Sequence, residues 1–277
     1  MGQANPIPTL VARGRPIAAL IPRAGLPRAP VLTNFASMCT LILGLGVVAP
    51  GTMLLGANRD EDPARPSDPP LVLDPAIPIV GGRDRLAGGT WLAVRGREAA
   101  IAMLNRAALP PPGPLRSRGL LAIDVARDPD PALAFEHVVR ESYAPFTLVV
   151  ARPKGTWVLS WEAGRAAMVE PKAGWHVFTH AGMDDRSEPR TAALLESLAD
   201  FRPATRAEGE AGIVQRLSQH EGPAVCLHDG RMVTVSSALV WLAPGETGYR
   251  HADGRPCVTP FKDYTSLLTG PGARESV

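Results

Sequence analysis

Cysteine is scarce, with only three in 277 residues, at positions 39, 226 and 257. So small and odd a set excludes a disulfide framework and fits a reducing, cytoplasmic setting. No two cysteines stand at the short spacing of a zinc motif. His176 and His180 are four apart, but Gly174-Trp175-His176-Val177-Phe178-Thr179-His180 reads as a strand with no carboxylate inside it. No metal site is therefore expected. Acidic residues are absent from residues 1–37, which hold four arginines. Beyond that stretch 25 basic residues face 27 acidic ones. The basic excess thus belongs to the N-terminal stretch, and the body carries no footprint for nucleic acid. Charge is also missing between Arg28 and Arg59, a run long enough to cross a bilayer. However, Pro30, Asn34, Ser37 and Pro50 interrupt it, and Ala49-Pro50-Gly51 is a turn between the apolar runs Thr40–Val48 and Thr52–Ala57. Two buried strands of a hairpin are expected there, and no stable membrane span.

Proline and glycine are abundant, at 29 and 27 residues, which favours many short strands joined by turns. Pro63–Pro78 reads as a proline-studded surface loop. Hairpins are expected over Gly89–Val94 with Ala99–Leu104, and over Phe146–Ala151 with Thr156–Trp161. A third joins Ala224–His228 to Met232–Ser236 through Asp229-Gly230. Helices are expected at Pro131–Tyr143, from an N-cap at Ser187 to about Leu198, and at Glu208–Ser218. Hairpins dominate without βαβ alternation, which predicts an α+β fold of mainly antiparallel sheet with helices packed outside. Residues 1–37, poor in acids and without a hydrophobic period, read as a disordered leader or a start placed too far upstream. The domain is expected over 38–265, with a flexible tail over 266–277. Gly44-x-Gly46-x-x-Ala49 imitates a dinucleotide fingerprint, but Pro50-Gly51 occupies the place where its helix would begin.

Chemistry concentrates near Cys39. In an apolar strand a lone thiol is commonly an inert core residue. It becomes a nucleophile if the peptide before it is removed, because a free α-amine titrates near neutrality and can take the thiol proton. Such a site also needs a carboxylate, an arginine and amide donors for an oxyanion. Asn58-Arg59-Asp60-Glu61 follows the Thr40–Ala57 hairpin, which would return Arg59 and Asp60 beside Cys39. A turn whose arginine and aspartate pair locally is the plainer alternative. Gly88-Gly89-Thr90-Trp91 is either a ligand floor or the tight packing of a strand end.

Met38-Cys39-Thr40, Ala57-Asn58-Arg59-Asp60-Glu61, Arg65-Pro66, Gly82-Arg83-Asp84 and Ala87-Gly88-Gly89-Thr90-Trp91-Leu92 together resemble the NRDE family, also called the Transport and Golgi organisation 2 family. Members of that family begin at the Met-Cys, which implies Met38 as the start here. The family is similar in turn to N-terminal-nucleophile hydrolases of the choloylglycine hydrolase and penicillin acylase type, implying an αββα sandwich. The resemblance implies Cys39 as nucleophile, Arg59 and Asp60 as its positioning pair, and Asn105 as an oxyanion donor, unless Asn105 merely serves a turn. A second donor is expected as Thr-Asn or Ser-Asn, and this chain has Thr179-His180 in its place. Asn58, Glu61, Gly88, Gly89, Thr90 and Trp91 would then contact substrate.

Three functions follow. The first is a cytosolic cysteine amidohydrolase cleaving a small amide, with His180 as the second oxyanion donor. The second, which the family's links to haem movement, lipid metabolism and secretory-pathway organisation imply, is a non-enzymatic carrier of haem or an acyl-CoA-like lipid using the same cleft. His176 and His180 would be its candidate haem contacts. The third is an interaction module without ligand.

Overall fold

Strands apolar on both faces set the architecture. In β1 (Thr40–Leu45) Leu41, Leu43 and Leu45 face one way and Ile42 the other, and all are buried. The strand is therefore covered on both faces. The computed structural model describes residues 39–162 and 164–269. After β1 come β2 (Met53–Glu61), β3 (Ser67–Asp74), β4 (Ile79–Asp84), β5 (Leu92–Arg95) and β6 (Ala99–Asn105). Helices α1 (Arg118–Arg127) and α2 (Pro131–Arg140) precede β7 (Phe146–Ala151), β8 (Trp157–Glu162), β9 (Arg165–Val169), β10 (Gly174–Thr179) and β11 (Gly182–Met183). Then follow α3 (Pro189–Leu198), α4 (Arg206–Leu217), β12 (Val233–Ala243), β13 (Glu246–Ala252), β14 (Lys262–Asp263) and a 3-10 turn at Thr265–Leu268.

The strands form two antiparallel seven-stranded sheets, ordered β11-β10-β1-β2-β12-β13-β14 and β3-β4-β5-β6-β7-β8-β9. Leu41, Leu43 and Leu55 of the first sheet meet Val80, Leu92 and Val149 of the second in one buried layer. The outer face of the second sheet (Ile101, Leu148) packs on Leu121 and Val125 of α1 and Val138 of α2. The outer face of the first (Ile42, Leu54, Val177) packs on Leu194 of α3 and Ile213 and Leu217 of α4. This is the αββα sandwich that the resemblance implies.

Several elements depart from expectation. Pro63–Pro78 holds strand β3, because an edge strand bonds on one side only and accommodates Pro69 and Pro70. Helix α1, with Gly119 in its first turn, and strand β9 had no clear sequence signal. Glu188, not Ser187, caps α3, its carboxylate accepting from the Thr191 amide at 2.6 Å. Ala224–His228 is irregular rather than a strand, and its Leu227 bonds to Thr234 of β12 through backbone and hydroxyl. Packing continues past residue 265 into the expected tail, since Leu268 is buried in the layer between the sheets. The expected leader 1–37, Met38 and residues 270–277 lie outside the described residues.

Candidate active site

Cys39 immediately precedes β1, and antiparallel pairing of Thr40 with Asn58 carries it beside the end of β2. Its sulfur lies 3.4 Å from the Asp60 amide, which donates to it. Arg59, Asp60 and Glu61 line the same cavity, of about 140 Å³, together with Trp91, Asn105 and Arg118. The returning hairpin thus brings the cysteine, arginine and aspartate together, as their spacing suggested.

Asp60 is the electrostatic centre. It is fully buried, and the Thr234 hydroxyl donates to one carboxylate oxygen at 2.6 Å. The other oxygen lies 3.6 Å from the Arg190 guanidinium but accepts no hydrogen bond among the described residues. Burial pushes the carboxyl up to about 6 against the pull of Thr234 and Arg190. A register shift between Thr234 and Ser236 in the β2–β12 ladder sets Thr234 opposite Asp60 and Ser236 opposite Arg59. Bulges of this kind re-aim side chains beside functional sites. Arg190 also donates to the Thr40 hydroxyl at 2.9 Å, tying α3 to the start of β1.

The Cys39 thiol is pushed up to about 12, by burial first and by the Asp60 charge second, with Arg59 pulling the other way. With its nitrogen in a peptide bond, Cys39 is therefore a protonated thiol at neutral pH. Arg59 donates to the Ser67 hydroxyl at 3.2 Å, with Glu61 3.7 Å away. Arg65 bridges Glu61 and Asp84, its ion pair to Asp84 closing to 2.5 Å.

Two cationic or ring groups in the cavity had escaped attention. Arg118, from the first turn of α1, donates to the Pro145 carbonyl, and burial lowers it from the usual arginine range while the Cys39 and Glu61 charges oppose that. Its only sequence signal would have been helix α1 itself. His251 of β13 is buried, and burial brings it down to about 4, so it is a neutral imidazole. Its Nδ1 has no partner among the described residues.

Other expected contacts fall elsewhere. Asn58 points to the helix side of the sheet, where its amide donates to the Leu217 and Val225 carbonyls at 2.8 and 3.1 Å. Gly89 and Thr90 line the cavity and Gly88 does not. A side chain on Gly89 would come within 2.4 Å of the Gly119 backbone, so the paired glycines serve close packing of α1. His180 lines neither this cavity nor its neighbour; its carbonyl accepts from the Ala107 amide. His176 has both ring nitrogens engaged, with Asp184 at 2.7 Å and the Lys172 carbonyl at 2.8 Å.

An outer cavity of about 780 Å³ shares Glu61, Arg65, Asn105 and Arg118 with the inner one. Leu86, Pro110, Pro145 and Met232 give it apolar walls, and Arg106 and Arg231 add positive charge.

The model of a family described as Transport and Golgi organisation 2 matches residues 38–221, well over half of the chain. Among solved structures, the Caenorhabditis elegans ortholog of N-acylethanolamine-hydrolyzing acid amidase is similar at 18% identity, covering 75% of this chain and 94% of that one with a TM-score of 0.55. A single-residue variant of conjugated bile acid hydrolase from Clostridium perfringens is 11% identical, with 82% and 96% covered and a TM-score of 0.47. Both have the N-terminal-nucleophile hydrolase fold. No curated protein matches.

Proposed function

We propose, from the premise that this chain belongs to the Transport and Golgi organisation 2 family, that it is a cysteine amidohydrolase activated by exposure of the Cys39 α-amine. The observation that carries this reading is the carboxylate oxygen of Asp60, buried beside Cys39 and without a hydrogen bond among the described residues. A buried carboxylate in that condition is costly. An ammonium freed by cleavage before Cys39 would offset that cost.

In the processed chain the α-amine, oriented by Asp60, takes the Cys39 proton as sulfur attacks the amide carbon of a small substrate. The oxyanion forms near the Asn105 side chain and the Arg118 guanidinium, which replaces the role first expected of His180. The tetrahedral intermediate then collapses. The leaving amine takes the proton back from the ammonium, and a thioester remains on sulfur. Water, deprotonated by the same α-amine, hydrolyses it and restores the thiol. In the unprocessed chain the thiol has no free α-amine beside it, and a group pushed up to about 12 supplies almost no thiolate.

The test is hydrolysis of a panel of N-acyl amides by a chain beginning at Cys39, compared with its Cys39→Ser and Cys39→Ala variants. Loss of turnover in both, with thermal unfolding unchanged, supports the reading. Turnover persisting in Cys39→Ala contradicts it.

The outer cavity favours a second reading, binding of an acyl or porphyrin ligand without turnover, because it is much the larger of the two. Binding would then survive Cys39→Ala. A Soret shift on haem titration would support the porphyrin form, and its absence would remove it.

A further inference from the structure

Away from the active-site cavity, four side chains with metal-binding donors converge. His220 follows the end of α4, Cys226 and His228 lie in the irregular segment before β12, and Cys257 lies in the turn after β13. The Cys257 sulfur is 3.6 Å from the Cys226 sulfur and 3.3 Å from Nε2 of His228. Donor atoms of His220, His228 and Cys257 lie within 4.8 Å of one another, and the two rings stand 4.9 Å apart.

We propose that Cys226, His228, Cys257 and His220 bind a single thiophilic transition-metal ion of the zinc type. Metal–sulfur bonds of about 2.3 Å and metal–nitrogen bonds of about 2.0 Å in a tetrahedron put neighbouring donors roughly 3.3–3.8 Å apart. Two of the separations already fall in that interval; His220, His228 and Cys257 form the compact set, and the Cys226 sulfur adjoins it through Cys257. The Ser218 carbonyl accepts from Nδ1 of His220 at 3.0 Å, which leaves Nε2 to face the ion. Backbone acceptors commonly orient ligand histidines in this way. Two sulfurs and two imidazoles select zinc or copper over magnesium or calcium.

The three thiols are free cysteines, and Cys226 is buried while His220 opens to solvent, so an ion reaches the cluster from the His220 side. Binding displaces the two thiol protons to solvent and involves no electron transfer. Only His220 lies within the family-matched stretch 38–221, so the cluster belongs to this chain rather than to the family match. It also has a mechanical consequence. The segment it would clamp supplies the Val225 carbonyl to Asn58, and its Leu227 brackets Thr234, the donor to Asp60. An ion would hold this support in place whether or not the chain hydrolyses amides.

The experiment loads the full chain, with any purification tag removed, with zinc and then dialyses it against metal-free buffer before elemental analysis. Cobalt loading supplies a second readout through its thiolate charge-transfer absorption. The expected result is about one ion per chain and a charge-transfer band that Cys257→Ser abolishes. His220→Ala, a surface change that leaves the fold intact, should weaken affinity on the order of tenfold or more. His137→Ala, on the distant α2, should leave it unchanged. Failure of the wild-type chain to retain zinc overturns the proposal, as does equal retention by His220→Ala and wild type. A mass lower by two hydrogens that reduction restores would identify a Cys226–Cys257 disulfide and also overturn it.

Discussion

Asn58 and Arg59 are neighbours in sequence and serve opposite faces of one strand. Arg59 enters the cavity, while Asn58 fastens the end of α4 and the following segment to the sheet. Both are buried, so hydrophobic alternation could not separate them, and the shared motif suggested one shared role. Asn58→Ala leaves two buried carbonyls without their donor and should cost about 2–3 kcal/mol in urea unfolding. Unchanged stability with lost activity would instead make Asn58 a substrate contact.

His251 carries a pH signature. Its folded value near 4 lies below the unfolded value near 6.5, so folding excludes a proton. The resulting stability is fully present above pH 6.5 and is lost as pH falls toward 4, about 2 kcal/mol of it by pH 5. His251→Gln should flatten thermal stability between pH 7 and 5, and an unaltered slope would contradict the assignment. Asp60 runs the other way, favouring the native state less as pH rises from 3.8 toward 6. In the processed chain its ionisation should set an acid limb in kcat/KM at or below about pH 6. Thr234→Val removes the hydroxyl that stabilises the carboxylate, so that limb should move to higher pH. No movement would mean that Asp60 does not control turnover.

Among the elements, those with local signals were legible. The β1–β2 hairpin announced itself through Pro50-Gly51, and β5–β6 and β7–β8 through their turns. Elements defined by packing were not. Helix α1 is short and weakly amphipathic, and it is held by the crossing of Gly119 over Gly89. The paired glycines were visible, but their partner was not. Gly89→Ala drives a methyl group into the Gly119 backbone and should destabilise the fold by about 1–3 kcal/mol, with loss of activity through the displaced Arg118. A stable, fully active variant would refute that crossing. The bulge in β12 is equally silent in sequence, because the ladder with β2 is what sets Thr234 opposite Asp60 and Ser236 opposite Arg59. Cys226 and Cys257, 31 residues apart, likewise meet only through tertiary folding.

For the whole molecule, two seven-stranded sheets flanked by helices hold the start of β1 against the cavity between them. The αββα arrangement was legible through the family motifs rather than through hydropathy, since strands buried on both faces lose their alternation. On the proposed reading the nucleophile and its carboxylate stand in place before the α-amine is freed, and the peptide bond ahead of Cys39 would decide whether the site works. The most direct test compares two chains of identical folded body, one with a free amine on Cys39 and one with Met38 retained, in single-turnover hydrolysis of an N-acyl amide. The account predicts acyl-enzyme formation on Cys39 only in the free-amine chain. Equal acylation of both chains would contradict it, and so would acylation of neither.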